Sequence, residues 1–154
     1  MVIVLVVLFA SWLVFRFAGA AGVTAMALWR DSARYALAAM FVFTGIAHFS
    51  NLKYDLARMV PAIFPNPLAI IYVTGALEFM GAAGLLLPRF RSAAGICLIA
   101  LLVAMFPANV KAAMDHLVLR GTPATPIGLR LPVQLLFIGL LWWSSVSRRG
   151  FSNQ

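Results

Sequence analysis

The sequence predicts an all-α membrane protein: a four-helix transmembrane bundle with an additional N-terminal membrane helix. Three observations carry this prediction. Of 154 residues, 64% are hydrophobic and only 10% are charged, and the mean hydropathy of +0.99 lies far above that of an ordinary soluble domain. The apolar residues come in uninterrupted runs, the longest of them sufficient to cross about 30 Å of hydrocarbon. The basic residues punctuate those runs. In a soluble protein a net charge of +8 and a pI near 11.2 would suggest nucleic acid, but here the arginines and lysines read as topology signals and lipid headgroup contacts. The lipid bilayer is therefore an expected partner and nucleic acid is not.

Val2 to Phe15 is apolar but lacks the basic n-region of a signal peptide and carries Arg16 after the apolar stretch, so it reads as a retained helix. Fourteen residues rise only about 21 Å, so the helix spans only if it extends through Arg16, whose side chain can snorkel to the headgroups. Gly19 to Gly22 allows a bend before a short segment, Thr24 to Trp29. A second span runs from Ser32 to Phe49, with Asp31 or Ser32 as its N-cap. Ser50 to Pro67 is too polar and Pro-rich for a span and predicts a short interfacial helix and a turn. The third span is Leu68 to Leu87, closed by Pro88 with Arg89 and Arg91. The fourth runs from Ser92 to about Val110, contains Pro107, and is expected to continue as an amphipathic helix to Leu119. Gly121 to Gly128 is a loop, and the last span is Leu131 to Val146, closed by Arg148 and Arg149. Residues 1–30 thus make the extra helix and bend, and residues 31–154 a four-helix transmembrane domain, in a single domain overall.

Alternating the sides gathers Arg16, Arg30, Arg34, Arg89, Arg91, Arg148 and Arg149 against Lys53, Arg58, Lys111, Arg120 and Arg130. The positive-inside rule makes the Arg-rich side, and with it the C-terminus, cytoplasmic. Cys97, the only cysteine, lies within an apolar run, so the chain forms no internal disulfide and has no dithiol for redox exchange.

Glu78 is the one charge in Leu68 to Leu87. A carboxylate at mid-bilayer costs about 2.5–3.5 kcal/mol on insertion scales, so such residues face a bundle interior or wet cavity and often mark a site. The structural alternative is a protonated Glu bonding a neighbouring helix. Helical rise places Glu78 about 16 Å above the inner surface, His48 and Gln134 about 21 Å, and Asn109 about 27 Å. All four therefore fall in the outer half, each on a different helix, and Arg130 lies one turn above Gln134. If their faces converge they line a funnel open to the outer side with Glu78 as its floor; otherwise they are separate interhelical hydrogen bonds. Thr44 and Gly45 precede His48, and Thr74 and Gly75 precede Glu78, by four and three positions, so each polar group shares a face with residues that allow close backbone approach. Pro107 frees a carbonyl at Val103 and predicts a kink. His48 and His116 are the only histidines, too few with Glu78 for zinc, and bis-His haem ligation is disfavoured because His116 projects beyond its span. No metal site is expected. The candidate catalytic residues are Glu78 and His48, and the candidate ligand-binding residues are Asn109, Gln134, Arg130, Thr44 and Thr74.

Several stretches carry a resemblance. These are Phe43-Thr44-Gly45-Ile46-Ala47-His48-Phe49, Met59-Val60-Pro61, Gly75-Ala76-Leu77-Glu78-Phe79 with Gly81, Leu85-Leu86-Leu87-Pro88-Arg89, Phe106-Pro107-Ala108-Asn109-Val110, and Leu129-Arg130-Leu131-Pro132-Val133-Gln134. In this order, from Ala38 to Trp143, they resemble the DoxX-like membrane protein family, relative to whose short members the Met1 to Arg30 helix is extra. The resemblance implies a small multi-pass protein of the bacterial inner membrane, tied to quinone, thiol or oxidative-stress chemistry and to membrane redox complexes. A quinone is then the expected ligand, with His48, Asn109 or Gln134 donating to its carbonyl oxygens, Arg130 stabilising negative charge and Glu78 relaying a proton. Electrons come from a bound cofactor or a redox protein partner. Two alternatives stand beside this: a non-catalytic anchor or assembly subunit, and a small-solute or proton pathway. The oligomeric state, a homo-oligomer included, is not legible.

Overall fold

The computed structural model describes residues 2–119 and 121–147. Arg120, Arg148 and Arg149, assigned above to the two membrane faces, lie outside the described residues.

Six α-helices follow one another: α1 (Val2–Ala20), α2 (Trp29–Phe49), α3 (Lys53–Met59), α4 (Pro67–Leu86), α5 (Arg91–Met114) and α6 (Ile127–Leu141). A 3-10 turn, Thr24–Met26, links α1 to α2, and a π turn, Trp142–Val146, continues α6. Helices α2, α4, α5 and α6 pack in a ring, α6 and its π turn returning to α2, while α1 lies along the outside of α2. The core holds Leu37, Met40 and Phe41 of α2, Leu85 of α4, Leu98 of α5, Phe137 and Leu141 of α6, and Leu8 of α1.

Four helices are long and apolar enough to cross a membrane: α1, α4, α5, and α6 with its π turn. Helix α2 reaches that standard only when joined to α3, from which it is bent by 93°. The reason is its composition, since it carries Arg30, Asp31, Arg34 and His48. A helix covered by three neighbours buries polar groups against protein, so it is less apolar than those facing outward. Helix α1 is the opposite case. Its outer face, with Val2, Val6, Leu13 and Phe17, is broadly exposed.

Turn chemistry sets the boundaries. After α1 the chain folds back so tightly that a side chain on Gly19 would collide with the Met26 carbonyl, and Gly22 takes a φ of +107° that favours glycine. Helix α2 begins without the expected Asp31 or Ser32 cap. Leu28 occupies the N-cap with no side-chain bond; Asp31 instead pairs with Arg34 at 2.8 Å, and buried Ser32 donates to the Met26 carbonyl at 2.8 Å. Helix α4 starts on Asn66, whose Oδ1 accepts from the Ala69 amide at 3.2 Å, with Pro67 in the first turn where its missing N–H costs nothing.

Helix α5 runs past Pro107 to Met114 and stops there, short of the expected Leu119. His116 adopts a left-handed conformation, φ +47°, and the Leu117 amide donates back to the Ala112 carbonyl at 3.1 Å, which is the Schellman closure. Val118–Leu119, expected as the end of that helix, instead pairs antiparallel with Thr122–Pro123 of the segment expected as loop, and Gly121 at φ +73° lies between them. Helix α6 starts four residues before the expected Leu131, because Arg130 Nε donates to the Thr125 carbonyl at 2.8 Å and holds the first turn together.

Candidate functional site

Helices α2 and α4 share the most extensive contact in the bundle, and their glycines permit it. A Cβ on Gly75 would lie 2.5 Å from the Cβ of His48, and one on Gly45 would lie 2.9 Å from the Phe79 ring. Small residues at these positions let the two backbones meet and bring His48 and Glu78 to face each other, each only 4% exposed.

His48 Nδ1 lies 2.9 Å from the Ile71 carbonyl oxygen. An oxygen that can only accept places the proton on Nδ1. In the neutral ring Nε2 is then a bare acceptor, and it faces Glu78 Oε1 at 3.8 Å, beyond hydrogen-bonding distance. Thr74 Oγ1 stands 3.1 Å from Nδ1 and donates within its own helix to the carbonyl of Ile70 at 2.9 Å or of Ile71 at 3.0 Å. Thr44 Oγ1 likewise donates within its own helix, to the carbonyl of Met40 or of Phe41 at 3.2 Å. Glu78 Oε2 is shielded from solvent and has no hydrogen-bond partner. The seam therefore holds an imidazole and a carboxyl aligned with each other, with hydrogen-bonding capacity left unused between them.

Aromatic rings cover the dyad. Phe49 stacks on Phe79 with centroids 5.7 Å apart, and Tyr72 packs on Phe49 at the same distance. Phe49 and Tyr72 are exposed on the outer surface of the seam.

The other three candidates meet across α5 and α6. Arg130 Nη1 donates to Asn109 Oδ1 at 2.6 Å, and Gln134 Nε2 donates to the Leu102 carbonyl at 3.0 Å, one residue before the carbonyl that Pro107 was expected to free. All of these side chains apart from Asn109 are buried. The structure thus divides the candidates into two sets, His48, Glu78, Thr44 and Thr74 on the α2–α4 seam, and Asn109, Arg130 and Gln134 on the α5–α6 seam. The bonds within each set stay on its own helix pair. A cavity of about 370 Å³ lies at the bend between α2 and α3, two residues beyond His48, lined by Ser50, Asn51, Leu52 and Asp55.

Sequence reasoning missed the opposite end of the bundle. There Arg30, Asp31, Arg34, Arg91 and Ser92 join Ser144 to Ser147 around a cavity of about 450 Å³. The signal available was the spacing of arginines at the ends of α2 and α5, which were read as topology signals and headgroup contacts and not as the lining of a cavity. Cys97 is exposed on α5, and among the described residues no three of His, Cys, Asp and Glu come together in a group fit for a metal.

Fold and site together define a helical bundle, several helices of which can cross a membrane, with a buried acid–imidazole pair between its two most closely packed members. The chain belongs to the family described as a domain of unknown function, DUF8561, whose model matches residues 37–146. That stretch takes in both polar sets and leaves α1 outside. No curated protein and no solved structure matches the chain.

Proposed function

We propose that the protein is a DoxX-like, multi-pass protein of the bacterial inner membrane that binds a quinone-type ring compound at the α2–α4 seam and serves redox or oxidative-stress chemistry. Helices α2, α4, α5 and α6 form its transmembrane bundle, α1 is an additional membrane helix, and the Arg-rich end and C-terminus face the cytoplasm. The observation that carries the reading is the His48–Glu78 pair. A bare Nε2 faces a carboxylate oxygen at 3.8 Å, and the second carboxylate oxygen is buried without a partner. Buried groups with unmet hydrogen bonds are rare and concentrate where a proton or ligand is handled. Phe49, Phe79 and Tyr72 supply an aromatic cluster beside the pair for a ring to pack on.

The chemistry asked of the site is proton exchange. A quinone reduced by two electrons takes up one proton on each carbonyl oxygen; Glu78 in its protonated form gives one of them, by way of His48 Nε2, and is reprotonated from water. A redox partner supplies the electrons, because the single cysteine provides no dithiol. A short-chain quinone analogue titrated into the detergent-purified protein is expected to bind saturably, followed by tryptophan fluorescence, and Glu78→Gln and His48→Ala are each expected to weaken binding at least tenfold. Equal affinity in all three proteins rejects the reading.

A second reading, a non-catalytic anchor or assembly subunit for a redox enzyme, is favoured by the α5–α6 seam. There the donors first assigned to a ligand are already engaged, Arg130 on Asn109 and Thr125 and Gln134 on Leu102. On this reading Glu78→Gln lowers thermal stability in detergent without changing affinity for any ring compound, and a protein partner co-purifies.

A further inference from the structure

We infer that the cavity at the Arg-rich end is a phosphate-binding site, taking the phosphate of an anionic lipid headgroup or free phosphate. The inference does not rest on the quinone reading, since the site lies at the other end of the bundle. Three guanidinium groups, those of Arg30, Arg34 and Arg91, and one carboxylate, that of Asp31, line the cavity together with Ser92, Ser144, Ser145 and Ser147. Their charges sum to +2, so the lining attracts an anion.

Arg34 is only 4% exposed. It pairs with Asp31 at 2.8 Å and reaches the Ser144 carbonyl only at 3.5 Å. Its Nε is sealed from solvent and has no acceptor. A guanidinium carries five donors in a planar fork that matches phosphate oxygens, and a buried arginine left short of acceptors is costly unless something supplies them.

The walls add further donors. Helix α5 begins at Arg91, so Arg91 and Ser92 bring the positive end of its dipole to the lining of the cavity. From the other side comes the π turn Trp142–Val146, an irregularity that often accompanies a functional site. It presents the hydroxyls of Ser144 and Ser145, 3.2 Å apart. Arg30 is anchored on the Trp143 and Ser147 carbonyls, which pins the turn against α2. A basic pocket between helix ends lies at the depth of lipid headgroups, where such pockets take phosphate groups. A volume of about 450 Å³ accommodates a headgroup phosphate with part of its glycerol.

The test uses the full chain, delipidated in dodecylmaltoside, titrated calorimetrically with dihexanoyl phosphatidic acid, with inorganic phosphate, and with zwitterionic dihexanoyl phosphatidylcholine. Phosphatidic acid is expected to bind saturably and phosphatidylcholine at least tenfold more weakly. Arg91→Gln and Arg34→Gln are expected to weaken the anion at least tenfold, while Arg58→Gln at the opposite end leaves it unchanged. Inorganic phosphate that binds alone and displaces the lipid identifies the free ion as a ligand; phosphatidic acid binding without phosphate binding identifies the headgroup. Both results support the site. No saturable binding of either anion overturns it, as does affinity unaltered by the arginine substitutions. Should Arg34→Gln fail to fold, half-buried Arg91 decides the matter.

Discussion

At the scale of single residues, the α2–α4 seam depends on an atom that is absent. A Cβ on Gly75 would lie 2.5 Å from His48 Cβ, in an interface of rigid helices that cannot yield at one point. Overpacking of this kind costs about 1–3 kcal/mol. Gly75→Ala is therefore expected to lower the melting temperature in detergent by several degrees and to weaken whatever the His48–Glu78 pair binds, because the imidazole must shift. Gly128, where nothing lies within reach of an added Cβ, is the control: Gly128→Ala should leave both unchanged. Glu78 itself was legible in the sequence as the one charge in its apolar run. His48 was named beside it as a catalytic candidate, but helical rise leaves rotation about the axis undetermined, so nothing in the sequence showed that the two face each other. Nor did it show that Asn109 and Gln134 turn to a different helix pair, which side-chain directions decided.

The elements end where backbone chemistry ends them. Helix α5 closes on His116 in a left-handed conformation, φ +47°, which costs a residue bearing a Cβ about 1 kcal/mol. The Schellman closure at this point usually employs glycine. His116→Gly is expected to stabilise the protein by about 0.5–1 kcal/mol, read as a higher melting temperature. The same closure explains why α5 stops at Met114 and Val118–Leu119 turns into a short strand, which apolar patterning alone did not indicate. Helix α6 raises the complementary case. Pro132 suggests a helix starting close to it, yet Arg130 bonded to the Thr125 carbonyl at 2.8 Å supports an earlier turn, and Pro132 is carried inside the helix. Removing that tie with Arg130→Ala should fray the start of α6 and leave Asn109 without its donor, detectable as faster amide exchange over residues 127–131.

For the molecule as a whole, the polar groups sort to two ends. Arg16, Arg30, Arg34 and Arg91 are tied into contacts at one, through the carbonyls of Ala27, Trp143 and Ser144 and the shared cavity. Arg58 and Lys111 meet at the other, where Arg58 Nη1 donates to the Val118 carbonyl and Lys111 Nζ to that of Arg58. An orientation with the Arg-rich end inside is expected to appear in cysteine labelling on a Cys97→Ala background. Asn51→Cys should react with a membrane-impermeant maleimide in intact cells, and Ser147→Cys only after permeabilisation; the reverse pattern inverts the topology.

Composition and run length alone determined that the chain is helical and where its apolar segments lie, because burying backbone polar groups in an apolar phase leaves the helix as the solution available to a single segment. They also fixed how far along its helix each of Glu78, His48, Gln134 and Asn109 lies from the flanking arginines, since rise per residue is constant. Only the tertiary structure decided which of those side chains meet. Pairing depends on helix rotation and on which neighbours approach closely, and both are set by the glycine contacts at the seams. The polar residues expected to converge on one funnel accordingly divide between two seams, and arginines read as topology signals and headgroup contacts line a cavity.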